Sequence, residues 1–260
     1  MKITLFTGDN LRHEYFISLL SKRFNEVYVI QEKLPKTSGE NYSSKVIKSY
    51  FKRVNKSQKK IFGKSLLKSK SQNLKRKLIK FGELSNIDIL SIDSYLKSDV
   101  YIVYGSSYIK GNLVDFLIRN RAINIHMGVS PYYRGTDCNF WALNDNNLHL
   151  VGSTIHLLSK GLDSGNILYH AMSNHKSNIY DYSMSTVKSA FYSLVERISN
   201  KKIFNIKPTK QNKSKEIRYS KNKEFTSKVV RQFMKKKLDI TNLNFINKLL
   251  TNPYFLKNDD

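Results

Sequence analysis

Lys2-Ile-Thr-Leu-Phe-Thr7, then Gly8-Asp9-Asn10, then Leu11 to Phe24 and Val27-Tyr-Val-Ile30, is the stretch that decides the fold. The first segment alternates and is rich in β-formers, and three turn residues break it. Leu11, Tyr15, Ile17, Leu19 and Phe24 follow near helical spacing, with Asn10 as a good N-cap. Val27–Ile30 reads as a second short buried strand. A βαβ opening of this kind predicts an α/β protein, with a Rossmann-like, mostly parallel sheet and flanking helices. The turn lacks a GxGxxG fingerprint, so it does not announce a dinucleotide site. It is still a strand-to-helix turn, where helix N-terminal amides favour anions, and Asn10 and Arg12 there are candidate substrate contacts.

Working outward, further strands are expected at Ile87–Ile92, Asp99–Tyr104, Ala122–His126, Val151–Leu158 and Asn166–Ala171. Helices are expected at Gly111–Arg119, Thr136–Asn144 and Tyr180–Ser199. Lys33–Gly82 reads as a basic, Lys/Ser-rich insertion. Val46, Tyr50, Phe51, Val54, Ile61, Phe62, Leu66 and Leu67 are spaced to make it helical rather than disordered. Residues 1–200 are expected to form the catalytic domain. Residues 201–260 are expected to be a short basic C-terminal extension with one apolar stretch, Ile240–Leu250. No internal repeat is visible.

A chain of 260 residues is long enough to bury a sizeable core in one large domain. Its single cysteine, Cys138, excludes a disulfide framework and a cysteine-based zinc site and fits a reducing compartment. No apolar run approaches membrane-spanning length, and the start lacks a signal-peptide core. A soluble, cytoplasmic protein without membrane contact is expected.

The net charge of +25 invites a nucleic-acid reading. Its distribution weakens that reading. Lys33–Gly82 holds 16 basic residues and 1 acidic, Lys201–Asp260 holds 16 and 5, and the remainder holds 13 and 14. Lys outnumbers Arg 35 to 10 beside 25 asparagines, the usage of AT-rich coding sequence. A dedicated phosphate reader would favour Arg for its bidentate fork. The charge is peripheral, and the central region is neutral.

That central region carries the chemistry. In Ala122-Ile-Asn-Ile-His-Met-Gly-Val-Ser-Pro-Tyr-Tyr-Arg-Gly135, Asn124 and His126 are two apart on a strand and share one face. The strand then ends at Gly128 and Pro131, so both polar groups sit at its C-terminal edge, where open α/β sheets bind ligands. Asp163 lies between two glycines in Gly161-Leu-Asp-Ser-Gly165. An amide, an imidazole and a carboxylate suit acyl transfer to an amine. The imidazole moves the proton, the amide holds an oxyanion, and the carboxylate orients the imidazole. No nucleophile elbow surrounds any serine, and Cys138 beside Phe140 and Trp141 reads as a core residue. His13, His149, His156, His170 and His175 show no metal-ligand spacing, and no metal is expected.

Asn124-Ile-His126, Pro131-Tyr-Tyr-Arg-Gly135, Gly152-Ser-Thr-Ile-His156 and Gly161-Leu-Asp-Ser-Gly165 together resemble the 10-formyltetrahydrofolate-dependent formyltransferases. The likeness covers Asp99–Leu168 well and Met1–Ile30 loosely. It implies Asn124, His126 and Asp163 as the catalytic trio and 10-formyltetrahydrofolate as co-substrate. It also implies a folate pocket formed by Tyr104, Gly105, Ser106, Ser107, Tyr108, Gly161 and Leu162. Tyr132 and Arg134 of the Pro-Tyr-Tyr-Arg-Gly loop become candidate substrate contacts.

Within that family, Thr7-Gly-Asp-Asn10 does not resemble the Gly-Ser-Gly-Ser-Asn loop of the glycinamide ribonucleotide enzymes. The segment after Lys201 is too short for the C-terminal barrel of methionyl-tRNA formyltransferases. The resemblance therefore implies an amino-sugar N-formyltransferase acting on a nucleotide-linked sugar, in a branch whose members pair as homodimers. Methionyl-tRNA and then glycinamide ribonucleotide are the other acceptors. Water in place of the amine would give a deformylase. A basic nucleic-acid-binding protein on this scaffold is the non-enzymatic alternative.

Overall fold

A computed structural model describes residues 1–33, 44–63, 71–174, 178–241 and 243–256. Leu66, Leu67 and His175 lie outside the described residues.

The elements in chain order are β1 (Lys2–Thr7), α1 (Leu11–Arg23), β2 (Glu26–Lys33), α2 (Lys45–Phe62), β3 (Leu74–Lys80), β4 (Val100–Tyr104), α3 (Gly111–Arg119), β5 (Ile123–His126), β6 (Tyr133–Gly135) and α4 (Cys138–Asn144). They continue with β7 (Ser153–Leu157), β8 (Ile167–Ser173), α5 (Ile179–Ser199), β9 (Arg218–Ser220), α6 (Ser227–Phe233) and β10 (Tyr254–Leu256). The main sheet runs β10-β8-β7-β5-β4-β1-β2-β3. β3, β2, β1, β4 and β5 are mutually parallel, β7 is antiparallel to both β5 and β8, and β10 is parallel to β8. β6 and β9 form a separate parallel pair. The fold is the expected Rossmann-like one.

β1 is central and covered on both faces, which is why it reads as a nearly continuous apolar run. Ile3 and Leu5 join the cluster beneath α1 and α5, and Phe6 joins the cluster on the opposite face. α1 presents Phe16, Ile17 and Leu20 to the sheet, and Phe16 stacks on Phe191 of α5 at 4.4 Å between ring centroids. Each such fully buried side chain contributes about 1.5–3 kcal/mol of burial free energy. Asn10 heads α1 as expected, but through its carbonyl, which accepts from the His13 and Glu14 amides. Its side chain makes no capping bond.

Two segments differ from the sequence reading. Ile87–Ile92 is not a strand: Ile89–Tyr95 is a 3-10 helix started by the Asp88 carboxylate, which accepts from the Leu90 amide. That Asx-type bond offers the backbone an alternative to a sheet ladder. The basic stretch supplies the expected helix in α2, and it also supplies β3, the sheet's edge strand. Lys75, Lys77 and Lys80 fit an edge, where charge deters further strand pairing. Arg76 of β3 forms a bidentate pair with Glu14.

The C-terminal segment is woven into the same body. β10 extends the sheet, β9 pairs with β6, and Phe225, Phe233 and Ile240 share a core cluster with Trp141 and Tyr182.

Candidate active site

β5 ends at the C-terminal edge of the parallel half of the sheet, with β7 antiparallel beside it. That register sets Asn124 opposite His156 and His126 opposite Thr154. Thr154 Oγ1 donates to the Gly128 carbonyl at 2.5 Å and accepts from the Ser130 amide at 2.9 Å, fixing the chain after β5. Gly128 packs so closely there that a Cβ would fall 2.6 Å from His126 Nε2 and 2.5 Å from Cys138 Cβ.

His126 Nδ1 lies 3.2 Å from Asp163 Oδ1, and both side chains are buried. Burial is the largest influence on His126 and disfavours the imidazolium. The Asp163 carboxylate, with Cys138 adding to it, outweighs that and holds His126 well above its ordinary value. Burial likewise opposes ionisation of Asp163, but His126 outweighs it and keeps that carboxyl well below its usual range. The pair is a buried imidazolium–carboxylate. His126 Nε2 rests 3.2 Å from the Tyr133 carbonyl. Asp163 adopts a left-handed backbone (φ 46°), a conformation that costs an ordinary residue free energy and recurs at functional sites. Gly165 makes the loop possible, since a Cβ there would lie 1.7 Å from the Leu157 carbonyl oxygen.

His156, which the sequence places on a strand without a role, joins the candidate site. Its Nδ1 donates to the Leu157 carbonyl at 2.8 Å, which leaves Nε2 to accept from Asn124 Nδ2 at 2.9 Å. The Asn124 amide is thereby turned, with one N–H spent on His156 and one available.

Two cavities meet at His126. The first is lined by Tyr104, Gly105, Ser106, Ser107, Tyr108, Gly161 and Leu162, together with Asn124, His156 and Asp163. Val103, Ile109, Val114 and Leu158 add apolar wall. The backbone of 106–108 is held by Glu32, a fully buried carboxylate that accepts from the Ser107 amide at 2.5 Å, Ser107 Oγ at 2.6 Å and the Gly82 amide at 2.8 Å. The second cavity is aromatic, with Tyr50 and Phe51 of α2, Phe140, Tyr180 and Phe233 facing Asp137 and Arg12. Burial raises the Asp137 carboxyl, and Arg12 opposes that. Arg12, Gly105, Met127 and Gly135 border both cavities, as His126 does.

Asn10, Tyr132 and Arg134 line neither cavity. Asn10 is exposed at the head of α1. Tyr132 is buried in the core, and its carbonyl accepts from the Ile217 and Arg218 amides. Arg134 is a strut: Nη2 donates to the Leu162 carbonyl at 2.8 Å, and Nη1 pairs with Glu216 at 2.9 Å. The loop bearing Asp163 is thus tied to the C-terminal segment. His170 is likewise structural, bridging the Ser130 carbonyl and the Thr251 amide at 2.8 Å each. Among the described residues, no group of three or more His, Cys, Asp or Glu side chains is arranged to hold a metal.

A buried imidazolium–carboxylate and a turned amide, between a backbone-lined cleft and an aromatic one, are an arrangement chemically suited to acyl transfer. The formyl transferase family model matches residues 55–188, which contain all of these polar groups. The chain belongs to the formyl transferase family. No curated protein matches the sequence. Among solved structures, the formyltransferase fold recurs in a sugar N-formyltransferase from Shewanella at 18% identity (100% of this chain, 94% of that one, TM-score 0.53). It recurs in glycinamide ribonucleotide transformylase 1 from Symbiobacterium toebii at 12% identity (82% and 94%, TM-score 0.51). A third is the N-formyltransferase from Helicobacter canadensis, solved with folinic acid and dTDP-3-aminofucose, at 14% identity (86% and 72%, TM-score 0.50). The protein is thus a formyltransferase by family. Among the described residues, no helix is long and apolar enough to cross a membrane.

Proposed function

We propose that this formyltransferase takes its formyl group from 10-formyltetrahydrofolate and delivers it to the amino group of a nucleotide-linked amino sugar. One observation carries the reading: His126 is a shared wall of two unlike cavities. The first cavity fits a flat heteroaromatic ring, because Val103, Ile109, Val114 and Leu158 supply apolar surface beside the polar Gly105–Tyr108 segment and Ser159, Gly161 and Leu162. The second suits a sugar, since aromatic faces and edges flank a carboxylate, Asp137, and a guanidinium, Arg12. A solved relative holding a folate and an amino sugar nucleotide supports this division.

When bound, the folate supplies an activated formyl group. Asn124 offers its unspent N–H to a carbonyl oxygen that gains charge. His156 keeps that N–H aimed by holding the other one. His126, charged through Asp163, donates a proton from Nε2 to a departing nitrogen and returns to the charged state by taking the proton shed by the attacking amine. Asp163 stays ionised throughout. Burial of the pair excludes water, which favours amine over hydrolysis.

The test is incubation with 10-formyltetrahydrofolate and a panel of nucleotide-linked amino sugars, read as formyl mass gain. His126→Ala and Asp163→Ala should each abolish the gain while the fold survives. Near-wild-type turnover in either variant refutes the site. Formylation of methionyl-tRNA or glycinamide ribonucleotide in preference to every sugar refutes the acceptor.

A further inference from the structure

We propose that α2 carries a diphosphate site, placed to hold the linkage of the nucleotide-bound acceptor. Arg53, Lys56 and Lys60 recur at helical spacing, so they share one face of α2, with Lys59 beside them. They border a cavity of about 700 Å³ also lined by Tyr180, which is hydrogen-bonded to Arg53, and Asp181 at the start of α5. Lys60 spends its charge on Asp181 at 2.5 Å, a carboxylate almost wholly buried. Among the described residues, no carboxylate lies within 4.0 Å of Arg53, Lys56 or Lys59. Like charges three and four apart destabilise a helix. An anion seated among them would reverse that cost.

Position distinguishes this cluster from lysine scattered over the rest of the surface. Tyr180 lines both the basic cavity and the aromatic one that ends at His126. α2 contributes Tyr50, Phe51 and Val54 to the aromatic cavity and its cations to the neighbouring one. A ligand with its amine at His126 and its sugar along the aromatic faces would meet the cations just past Tyr180. A nucleotide sugar carries two negative charges beyond its sugar ring, on the diphosphate. The inference rests on the acceptor being nucleotide-linked, and it assigns the charge of α2 to substrate binding.

The test uses the full chain and the triple variant R53A/K56A/K59A, whose exposed helical positions accept alanine. UDP, dTDP and inorganic pyrophosphate are titrated by calorimetry at low and physiological salt. Binding of 5-formyltetrahydrofolate and far-ultraviolet circular dichroism serve as folding controls. The wild type should bind at least one nucleoside diphosphate, and the variant should bind it at least about tenfold more weakly, as expected when charge-assisted contacts are lost. Equal affinity in the two proteins, or failure of the wild type to bind either nucleoside diphosphate, overturns the site. The two readings fail separately. Transfer to a nucleotide sugar with an unchanged KM in the variant removes the α2 site and leaves the function. Weakened diphosphate binding without transfer to any sugar keeps the site and removes the function.

Discussion

Asp163 Oδ1 faces His126 Nδ1 at 3.2 Å with little of either side chain exposed, and that one contact reverses what burial alone would do to the imidazole. In Asp163→Asn the His126 pKa should therefore fall below its ordinary value instead of lying above it. Imidazole NMR titration reads this directly, and an unshifted His126 would refute the pairing. Turnover should fall by about 10²–10⁴, the usual range for a positioned acid–base group. In the wild type, the raised His126 adds stability that is complete below pH 6.5 and fades as pH rises through its folded value. The lowered Asp163 adds stability above its ordinary range that is lost only in strong acid. Both contributions are present together around neutral pH.

Glu32 is a positioning residue for the 106–108 backbone. Glu32→Gln turns a buried acceptor into a group that presents N–H to N–H. It should cost about 1–3 kcal/mol of stability and raise KM for the folate severalfold with a smaller change in kcat. Loss of stability with an unaltered folate KM would make Glu32 merely structural.

Arg134→Lys keeps a charge but cannot serve both Leu162 and Glu216, because lysine lacks the planar fork. Transfer should fall about tenfold or more, since a small misplacement of an acid–base group is costly. Glu216→Gln should fall less, as the Leu162 contact persists. An Arg134→Lys enzyme with normal turnover would show that the Asp163 loop holds its own shape.

His170 gives an acid-side stability signature. Burial pushes it down to about 4, below its value in the unfolded chain. The unfolded state therefore binds the extra proton first, and stability declines as pH falls from about 6.5 towards 4, by about 3 kcal/mol in all. The difference in urea-unfolding free energy between wild type and His170→Phe should narrow across that interval. A constant difference would contradict a neutral buried imidazole.

The parts of the site legible in the sequence are those written locally. Asn124 and His126 share a face by strand alternation, and Asp163 stands between glycines whose purpose is steric. The parts that were not legible depend on distant partners. His156 acquires its role only through the β5–β7 register that sets it opposite Asn124. Arg134 looks like a loose loop cation until Glu216, 82 residues away, takes one end of it. β3 hid in a lysine-rich stretch because an edge strand buries little, with Ile79 its one buried side chain. Asp88 turned an apolar run into a 3-10 helix with one hydrogen bond, a choice that hydrophobic periodicity does not record.

The tie from the Leu162 carbonyl through Arg134 to Glu216, with β10 laid along β8, has a consequence for synthesis. A nascent chain carries Asn124, His126 and Asp163 long before it carries the residues that brace them. Between those two moments the polypeptide holds every candidate catalytic group without the support of that tie. Catalytic competence should therefore arrive abruptly and late on the ribosome, after Glu216 and then Tyr254–Leu256 have emerged, rather than growing in step with chain length.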